Sequence, residues 1–248
     1  MVVFFASREE GCAAALGLLA GGLQPSVLDF LDGETLAIVA AAYPPSRASG
    51  AEGPRGEEAG VPQGAAFGLI VEVDGSEAEC EAQRAEAMEL LGEAPVAVHE
   101  PSEEAALWRW RDGFNPAVTG VRGAKVSGDV VVPIERLFEA LVGFGEIAAR
   151  RGLSSCAWGH AGEGNLHATV LVPPASEEEL DAAEDVMEEL YGVVEGLGGS
   201  IAGEHGVGLI KRGQLARQWT SRAVELHEQI KRVFDPKNLL NPGKKLAR

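Results

Sequence analysis

Hydrophobic and polar positions follow two different periods along the chain, and these periods predict an alternation of strands and helices. Short, almost uninterrupted apolar runs, such as VVFFA at 2–6 and AAFGLIVEVDG at 65–75, are typical of buried strands. Runs with apolar residues three and four positions apart, such as IERLFEALVGFGEIAARRG at 134–152, are typical of amphipathic helices. We also predict a helix over PSVLDFLDGETLAIVAAA at 25–42, with Pro25 near its start.

The order of these elements, mostly strand–helix–strand with antiparallel neighbours, predicts an α+β fold. We expect a ferredoxin-like antiparallel sheet with helices on one face over residues 1–205, interrupted at 44–64 by a disordered loop rich in Pro, Gly and Glu. The pattern changes after residue 206, where SRAVELHEQIKRVF at 221–234 predicts an amphipathic helix. Residues 206–248 are therefore expected to form a small helical tail.

The charge balance narrows the range of partners. A formal net charge of -17 argues against binding to nucleic-acid phosphates, which needs clustered Lys and Arg, and against docking on an anionic membrane. The apolar run at 11–23 is too short to span a bilayer, and the preceding SREE is not the basic start of a signal peptide. A small anionic ligand in a local basic pocket remains compatible with this net charge.

The three cysteines, Cys12, Cys80 and Cys156, are widely spaced and form no C-x-x-C pair. Their odd number and their spacing predict free thiols that are buried as small apolar residues, which is typical of a reducing compartment. We therefore expect a cytoplasmic protein. The sequence leaves open whether this protein forms a homodimer.

The segment WGHAGEGNLHATVLV at 158–172 places two histidines around a glycine-rich turn. In a single extended strand His160 and His167 would point to opposite faces. A tight turn at 161–164 would instead fold the chain into a hairpin, because its glycines permit the positive φ angles that such a turn needs. Both imidazoles would then reach one site, and a pair of converging imidazoles is suited to metal binding.

A second glycine-rich segment, GGSIAGEHGVGLIKR at 198–212, can supply a third ligand. Two histidines with one glutamate form a known zinc site that leaves a position open for substrate or water, and manganese or iron accepts the same ligands. We therefore predict His160, His167 and Glu204 as metal ligands, with His205 free to act as a general base. The alternative is structural, because histidines near a turn are often no more than hydrogen-bonded surface or core residues.

Three motifs in order resemble a known family: GHAGEGNLH at 159–167, GEHGVGLIKR at 203–212 and FDPKNLLNPGKK at 234–245. They are similar to the C-terminal half of the FAD-linked oxidases of the vanillyl-alcohol-oxidase type. The nearest in appearance are the flavin subunit of glycolate oxidase and the D-lactate and D-2-hydroxyglutarate dehydrogenases. The first motif of the family reads G-H-x-G-D-G-N-x-H, so Glu163 is a mild departure from it.

The resemblance implies roles for further residues. LWRWRDGF at 107–114 and GAKVSGDVVVP at 123–133 are similar to family segments whose Arg and Lys hold the substrate carboxylate, and they point to Arg111 and Lys125. A guanidinium suits this task because it donates two parallel hydrogen bonds to a carboxylate. The implied reaction is the oxidation of a 2-hydroxy acid: the metal polarises the hydroxyl group, His205 takes its proton, and hydride passes from C2 to FAD.

Relatives of this type carry an N-terminal FAD-binding domain with a glycine-rich pyrophosphate loop, and we expect that domain to be absent from residues 1–248. Asn241 and Gly243 resemble tail residues of the family that touch the flavin, but they cannot hold it alone. We therefore expect the substrate-binding half of an FAD-dependent 2-hydroxy-acid oxidoreductase, inactive without an FAD-binding domain or partner chain. The alternative is a non-catalytic module that binds metal or carboxylates, or a remnant of a split gene.

Overall fold

The computed structural model describes residues 1–48 and 60–246. The strands of this part of the chain are β1 (Val2–Phe5), β2 (Val27–Asp32), β3 (Ser46–Ala48), β4 (Phe67–Glu72), β5 (Ala97–Pro101), β6 (Ala124–Val131), β7 (Ser154–His160) and β8 (Asn165–Val172). Its α-helices are α1 (Arg8–Ala20), α2 (Gly33–Val39), α3 (Glu77–Leu91), α4 (Glu104–Asp112), α5 (Phe114–Arg122), α6 (Leu137–Arg150), α7 (Glu177–Gly196), α8 (Leu215–Gln218) and α9 (Ser221–Phe234). The loop predicted at 44–64 begins with β3, and its middle lies outside the described residues.

The strands form one sheet in the order β3-β5-β1-β4-β2-β7-β8-β6, and each neighbouring pair is antiparallel. The elements β1-α1-β2-β4-α3-β5 form a ferredoxin-like unit of strand–helix–strand–strand–helix–strand. The elements β6-α6-β7-β8-α7 repeat this order, and a bridge from Ser200 to Val131 stands in place of the last strand. The two units join edge to edge where β2 pairs with β7. The predicted α+β class and ferredoxin-like antiparallel sheet are thus confirmed.

Helices cover both faces of this sheet. Helices α1, α3, α6 and α7 share one hydrophobic core with Val3 and Phe5 of β1. Helices α2, α4 and α5 form a second core on the opposite face, with Val2 and Phe4 of the same strand. The prediction of helices on one face holds for the four helices of the two units and is wrong for the other three. The physical reason is that a strand buried on both sides is apolar throughout, so its sequence does not show that each face needs a cover.

The helix predicted over 25–42 is wrong in its first half. Residues Val27–Asp32 form β2 at the centre of the sheet, and the α-helix spans Gly33–Val39. Asp32 marks the change, because its carboxylate caps the helix by accepting the Thr35 amide hydrogen at 2.8 Å. Asp29 lies within the strand and is buried, whereas a helix would have placed it on a polar surface.

The predicted helical tail is present as α8 and α9, and its surface differs from that of the remaining chain. Helix α9 contains no buried residue. The exposed large apolar side chains of the tail are Leu209, Ile210, Leu226, Ile230, Val233, Phe234, Leu239 and Leu240. Residues 206–248 contain ten Lys and Arg against three Asp and Glu, so this segment is basic although the whole chain has a net charge of -17. Across the described residues, every helix is too short or too polar to cross a membrane.

Candidate functional site

A hairpin turn joins β7 to β8 and brings the two motif histidines together. The strands pair in antiparallel register, and a short 3-10 turn at Ala161–Glu163 reverses the chain. Gly164 ends this turn with φ of +67°, and a Cβ atom at this position would collide with the carbonyl oxygen of Val132. The predicted tight turn is confirmed. It places the ring centroids of His160 and His167 5.6 Å apart.

Gly164→Ala is expected to destabilise the fold more than Gly152→Ala. Both glycines have left-handed backbone angles, φ +67° and φ +68°, so alanine costs each about 1–2 kcal/mol of conformational strain. A Cβ at Gly152 meets open space, whereas at Gly164 it meets the Val132 carbonyl, which adds an overpacking cost of about 1–3 kcal/mol. Urea unfolding of the two variants measures the difference, and equal losses would contradict the steric argument.

The site is built where the two ferredoxin-like units meet. Four adjacent strands, β2, β7, β8 and β6, contribute one side chain each: Asp29, His160, His167 and Asp129. Asp29 lies opposite His160 in the pairing register, and Asp129 lies opposite His167. Because directly opposite residues of antiparallel strands share a face of the sheet, the four side chains meet on the face that α4 and α5 cover.

His160 is held by a carboxylate on one ring nitrogen and presents the other to the site. Its Nδ1 lies 2.6 Å from Oδ1 of the buried Asp29, and its Nε2 lies 3.3 Å from Oε1 of Glu204. The hydrogen bond to Asp29 raises the pKa of His160. A carboxylate partner on Nδ1 fixes the orientation of the ring, so that Nε2 points towards Glu204.

His167 has the same orientation but a drier environment. Its Nε2 lies 3.2 Å from the same Glu204 oxygen, and its Nδ1 lies 3.6 Å from Oδ1 of Asp129. Among the described residues this buried Nδ1 has no hydrogen-bond partner. Burial lowers the pKa of His167 to about 4. The ring is therefore neutral at neutral pH, which is the form that ligates metals.

Two overlapping groups of side chains within the described residues have their ligand atoms close enough for a metal ion. One group is the predicted set of His160, His167 and Glu204, and the other combines Asp129, His167 and His205. The first is chemically favoured because both histidine Nε2 atoms face one oxygen of Glu204. Asp129 is a poorer ligand because both of its oxygens already accept hydrogen bonds.

His205 lies at the edge of this cluster. Its ring stacks on that of His167 with centroids 5.1 Å apart, and its Nε2 lies 3.7 Å from Oε1 of Glu204. Its side chain keeps 66% of its surface exposed. A substrate that approaches the cluster from outside can therefore reach this imidazole without displacing other side chains.

The two predicted carboxylate-binding residues occupy different positions. Arg111 of α4 donates from Nε to Oδ2 of Asp29 at 2.9 Å, so one carboxylate links it to His160. Arg111, His160 and Trp108 line a cavity of about 470 Å³. Lys125 lies further along β6, where its ammonium group contacts Asn115 and lies 5.2 Å from the ring centroid of Trp158. The structure thus places Arg111 beside the histidines and Lys125 behind a tryptophan.

The predicted flavin-contacting residues lie in the tail. Asn241 and Gly243 line a separate cavity of about 460 Å³, together with Lys231, Lys244 and Lys245. Both residues have left-handed backbone angles, φ 47° and φ 75°. Within the described residues, Asn241 and Gly243 form no hydrogen bond with the histidine cluster. The two sets of predicted site residues therefore lie on two distinct surfaces.

Sequence reasoning did not identify the residues that support the histidines. Asp29 was hidden by the helix predicted over 25–42, and Lys211 and Asn165 carried no signal beyond their place in the glycine-rich motifs. Asp129 directly precedes three valines in the GAKVSGDVVVP segment, and a lone carboxylate beside an apolar run is a signal for a buried, paired group. Its partners lie in other elements, so the sequence does not reveal them.

Comparison with known proteins decides the family. The family model described as FAD linked oxidases, C-terminal domain, matches residues 1–245. The chain belongs to this family. Its overall fold is also that of p-cresol methylhydroxylase, with a TM-score of 0.70 at 14% identity over 98% of this chain and 52% of the other. Membership of the FAD linked oxidases, which the three motifs predict, is thus confirmed.

Curated relatives of this FAD linked oxidase domain are roughly twice as long as the chain. The glycolate oxidase subunit GlcD of Bacillus subtilis is 30% identical over 252 residues, covering 100% of this chain and 51% of GlcD. The probable mitochondrial D-lactate dehydrogenase of Danio rerio is 32% identical over 184 residues, covering 72% of this chain and 37% of the relative. The chain therefore spans about half the length of the glycolate oxidase subunit that it matches throughout.

Proposed function

We propose that this domain is the substrate-binding half of an FAD-dependent dehydrogenase or oxidase that acts on a 2-hydroxy acid such as glycolate or D-lactate. One observation carries the proposal: two imidazole Nε2 atoms converge on a single oxygen of Glu204, and Arg111 is joined to this cluster through Asp29. A metal-binding group and a guanidinium side by side match the hydroxyl and carboxylate of such an acid. The names of the relatives support this substrate class.

His160, His167 and Glu204 would hold the metal, and the surrounding structure fits that task. Each histidine turns Nδ1 towards an aspartate, Asp29 or Asp129, as metal-ligating histidines commonly do. The Nδ1 of His160 is hydrogen-bonded in this way, whereas the Nδ1 of His167 faces Asp129 at 3.6 Å and has no hydrogen-bond partner among the described residues. Zinc, manganese and iron all suit two imidazoles and a carboxylate. When bound, such an ion supplies Lewis acidity that polarises the substrate hydroxyl group.

The protein residues then divide the remaining work. Arg111 donates from Nε to Asp29, and within the described part of the chain its terminal nitrogens have no partner, so they can bind the substrate carboxylate in a bidentate manner. The accessible imidazole of His205 accepts the hydroxyl proton at Nε2. Lys125 adds positive charge at a longer range, across the ring of Trp158. FAD, when bound, supplies the acceptor for the hydride from C2.

The tail is the surface that we assign to the FAD-binding partner, whether that partner is another domain or a separate chain. Exposed Ile230, Val233 and Phe234 leave α9 with an uncovered apolar face, and a patch of this kind typically marks an interaction site. Its lysine-lined cavity with Asn241 and Gly243 suits the phosphates of FAD. The relatives extend well beyond the half that this chain matches, and the additional part is the occupant that we assign to the exposed face.

Buried thiols at Cys12 and Cys156 are consistent with a cytoplasmic location.

The alternative proposal is a non-catalytic module that binds metal or carboxylates. It uses the same residues, but the bound acid is not oxidised. Titration of the zinc-loaded chain with D-lactate, glycolate and propionate tests the binding step that both proposals share. We expect the two hydroxy acids to bind at least about tenfold more tightly than propionate, because propionate lacks the hydroxyl group. Equal affinities would contradict a site that recognises the hydroxyl through the metal.

Turnover separates the two proposals. The half of Bacillus subtilis GlcD that this chain does not match can be fused to this chain, and the fusion can be loaded with FAD. We expect the fusion, and neither half alone, to reduce a dye acceptor when a 2-hydroxy acid is added. A fusion that retains FAD and binds the acid without reducing the dye would favour the non-catalytic module.

A further inference from the structure

Asp129 makes more hydrogen bonds than any ligand of the cluster, although it is not part of the favoured ligand set. Asp129 is buried, with 3% of its surface exposed. Its Oδ1 accepts from Nδ2 of Asn165 at 2.8 Å, and its Oδ2 accepts from the backbone amides of Gly203 at 3.1 Å and His205 at 2.9 Å. Its own carbonyl oxygen accepts from the ammonium group of Lys211.

The two backbone amides that Asp129 binds flank Glu204. The carboxylate therefore holds the residue before and the residue after Glu204, the ligand whose Oε1 lies 3.2–3.3 Å from both imidazoles. The side chain of Glu204 is 49% exposed and that of His205 is 66% exposed, so packing alone does not hold them. Gly203 is in direct contact with Asp129, since a Cβ atom there would collide with Asn165 and Asp129.

Lys211 supplies the counter-charge for this buried carboxylate. Lys211 is also buried, with 6% of its surface exposed, and its Nζ lies 3.7 Å from Oδ2 of Asp129. Burial alone would raise the pKa of Asp129, but hydrogen bonds from Asn165 and the His205 amide outweigh burial and keep this pKa below its usual value. The ammonium group of Lys211 lies beside the same oxygen that accepts both backbone amides, so the counter-charge and the clamp share one atom.

We propose that Asp129 is the positioning residue of the site: its carboxylate, balanced by Lys211, clamps the 203–205 segment and so sets the place of Glu204 and His205 relative to His167. The proposal rests on the metal site proposed above for the ligand role of Glu204. Asp129, which is not a metal ligand, would thus control the affinity for the metal and the position of the His205 imidazole.

The test variant is Asp129→Asn combined with Lys211→Met. Asp129→Asn alone leaves a buried ammonium group unpaired and can unfold the protein, whereas the double variant removes both charges and keeps similar volumes. The matched control is Ser127→Ala. Ser127 lies on the same strand two residues earlier and bonds Thr169 of β8 at 3.0 Å, so its loss removes a cross-strand contact without touching the clamp.

Two measurements on the full chain decide the question. In chelator, we expect amide hydrogen exchange of residues 203–205 to be at least about tenfold faster in the double variant than in the wild type and in Ser127→Ala. With zinc alone as the probe, we expect affinity to fall about ten- to a hundredfold in the double variant and to stay unchanged in the control.

Unchanged exchange at 203–205 in a folded double variant overturns the clamp. Unchanged zinc affinity, with wild-type protein that binds zinc, overturns its link to the ligands. If the wild type binds no zinc at all, the proposed metal site is wrong, and the exchange measurement in chelator still decides whether Asp129 holds the segment. Asp129→Glu with the native Lys211 is the rescue variant. Because it keeps a carboxylate, we expect part of the slow amide exchange at 203–205 to return.

Discussion

His160→Ala is expected to abolish stoichiometric binding of zinc. The substitution removes one of the two imidazole nitrogens that face Glu204 and leaves the buried Asp29 without its histidine partner. We expect affinity to fall by more than about a hundredfold, which exceeds the effect of losing only an outer partner of a metal ligand. Metal analysis of dialysed protein, together with calorimetric titration, measures the loss.

His227→Ala is the matched control for this experiment. His227 lies on α9, where its Nδ1 contacts the carbonyl oxygen of Ala223 and its ring stacks on Trp219, so it is an ordered histidine outside the cluster. We expect full zinc stoichiometry in this variant. Zinc content that survives His160→Ala, or that falls equally in both variants, would refute the ligand set of His160, His167 and Glu204.

Arg111→Met is expected to weaken the binding of D-lactate to the zinc-loaded chain by about a hundredfold. Removing one partner of a desolvated charge pair costs roughly 2–5 kcal/mol, and each 1.4 kcal/mol corresponds to about tenfold in the dissociation constant. Zinc affinity should change far less, because Asp29 keeps its hydrogen bond to His160. Calorimetric titration with D-lactate and with zinc separates the two effects.

Arg109 provides the control for Arg111 on the same helix. Its side chain is 70% exposed, and its ion pair with Glu103 has a separation of 4.0 Å, so Arg109→Met removes a positive charge without affecting the cavity. Its D-lactate affinity should remain within about twofold of the wild type. An equal loss in both variants would show that general positive charge, and not the guanidinium beside His160, attracts the acid.

The site could be predicted in part because its ligands lie in short motifs. His160 and His167 are separated by a turn whose glycines are visible in the sequence, so their convergence follows from local geometry. Glu204 and His205 lie in a second glycine-rich segment. The two segments could be assigned to one site because together they supply a typical set of metal ligands, without knowledge of any long-range contact. Local sequence therefore indicates which side chains could act.

Asp29 shows where the prediction from sequence failed. VLDFLD has apolar residues at spacings that suit either a helix or a strand buried on both faces, and periodicity alone does not separate these in a short segment. Its strand is fixed by pairing with β4 and β7, which are distant in sequence. The cover on the second face was missed for the same reason, since a fully buried strand does not show on which side its helices pack.

By itself, the sequence determined the α+β class, the hairpin at 161–164 and the helix at 221–234, and it supplied the candidate side chains of the proposed metal and carboxylate site. It did so because turns, caps and hydrophobic periods act between residues that are close along the chain. The tertiary structure decided that β2 joins β7, and thereby that Asp29 orients His160 and links it to Arg111. It also decided that Asp129 meets the 203–205 segment. The first contact arises from packing two units edge to edge, and the second arises because the chain returns beside β6 after α7; buried polar groups take whatever partners that packing supplies.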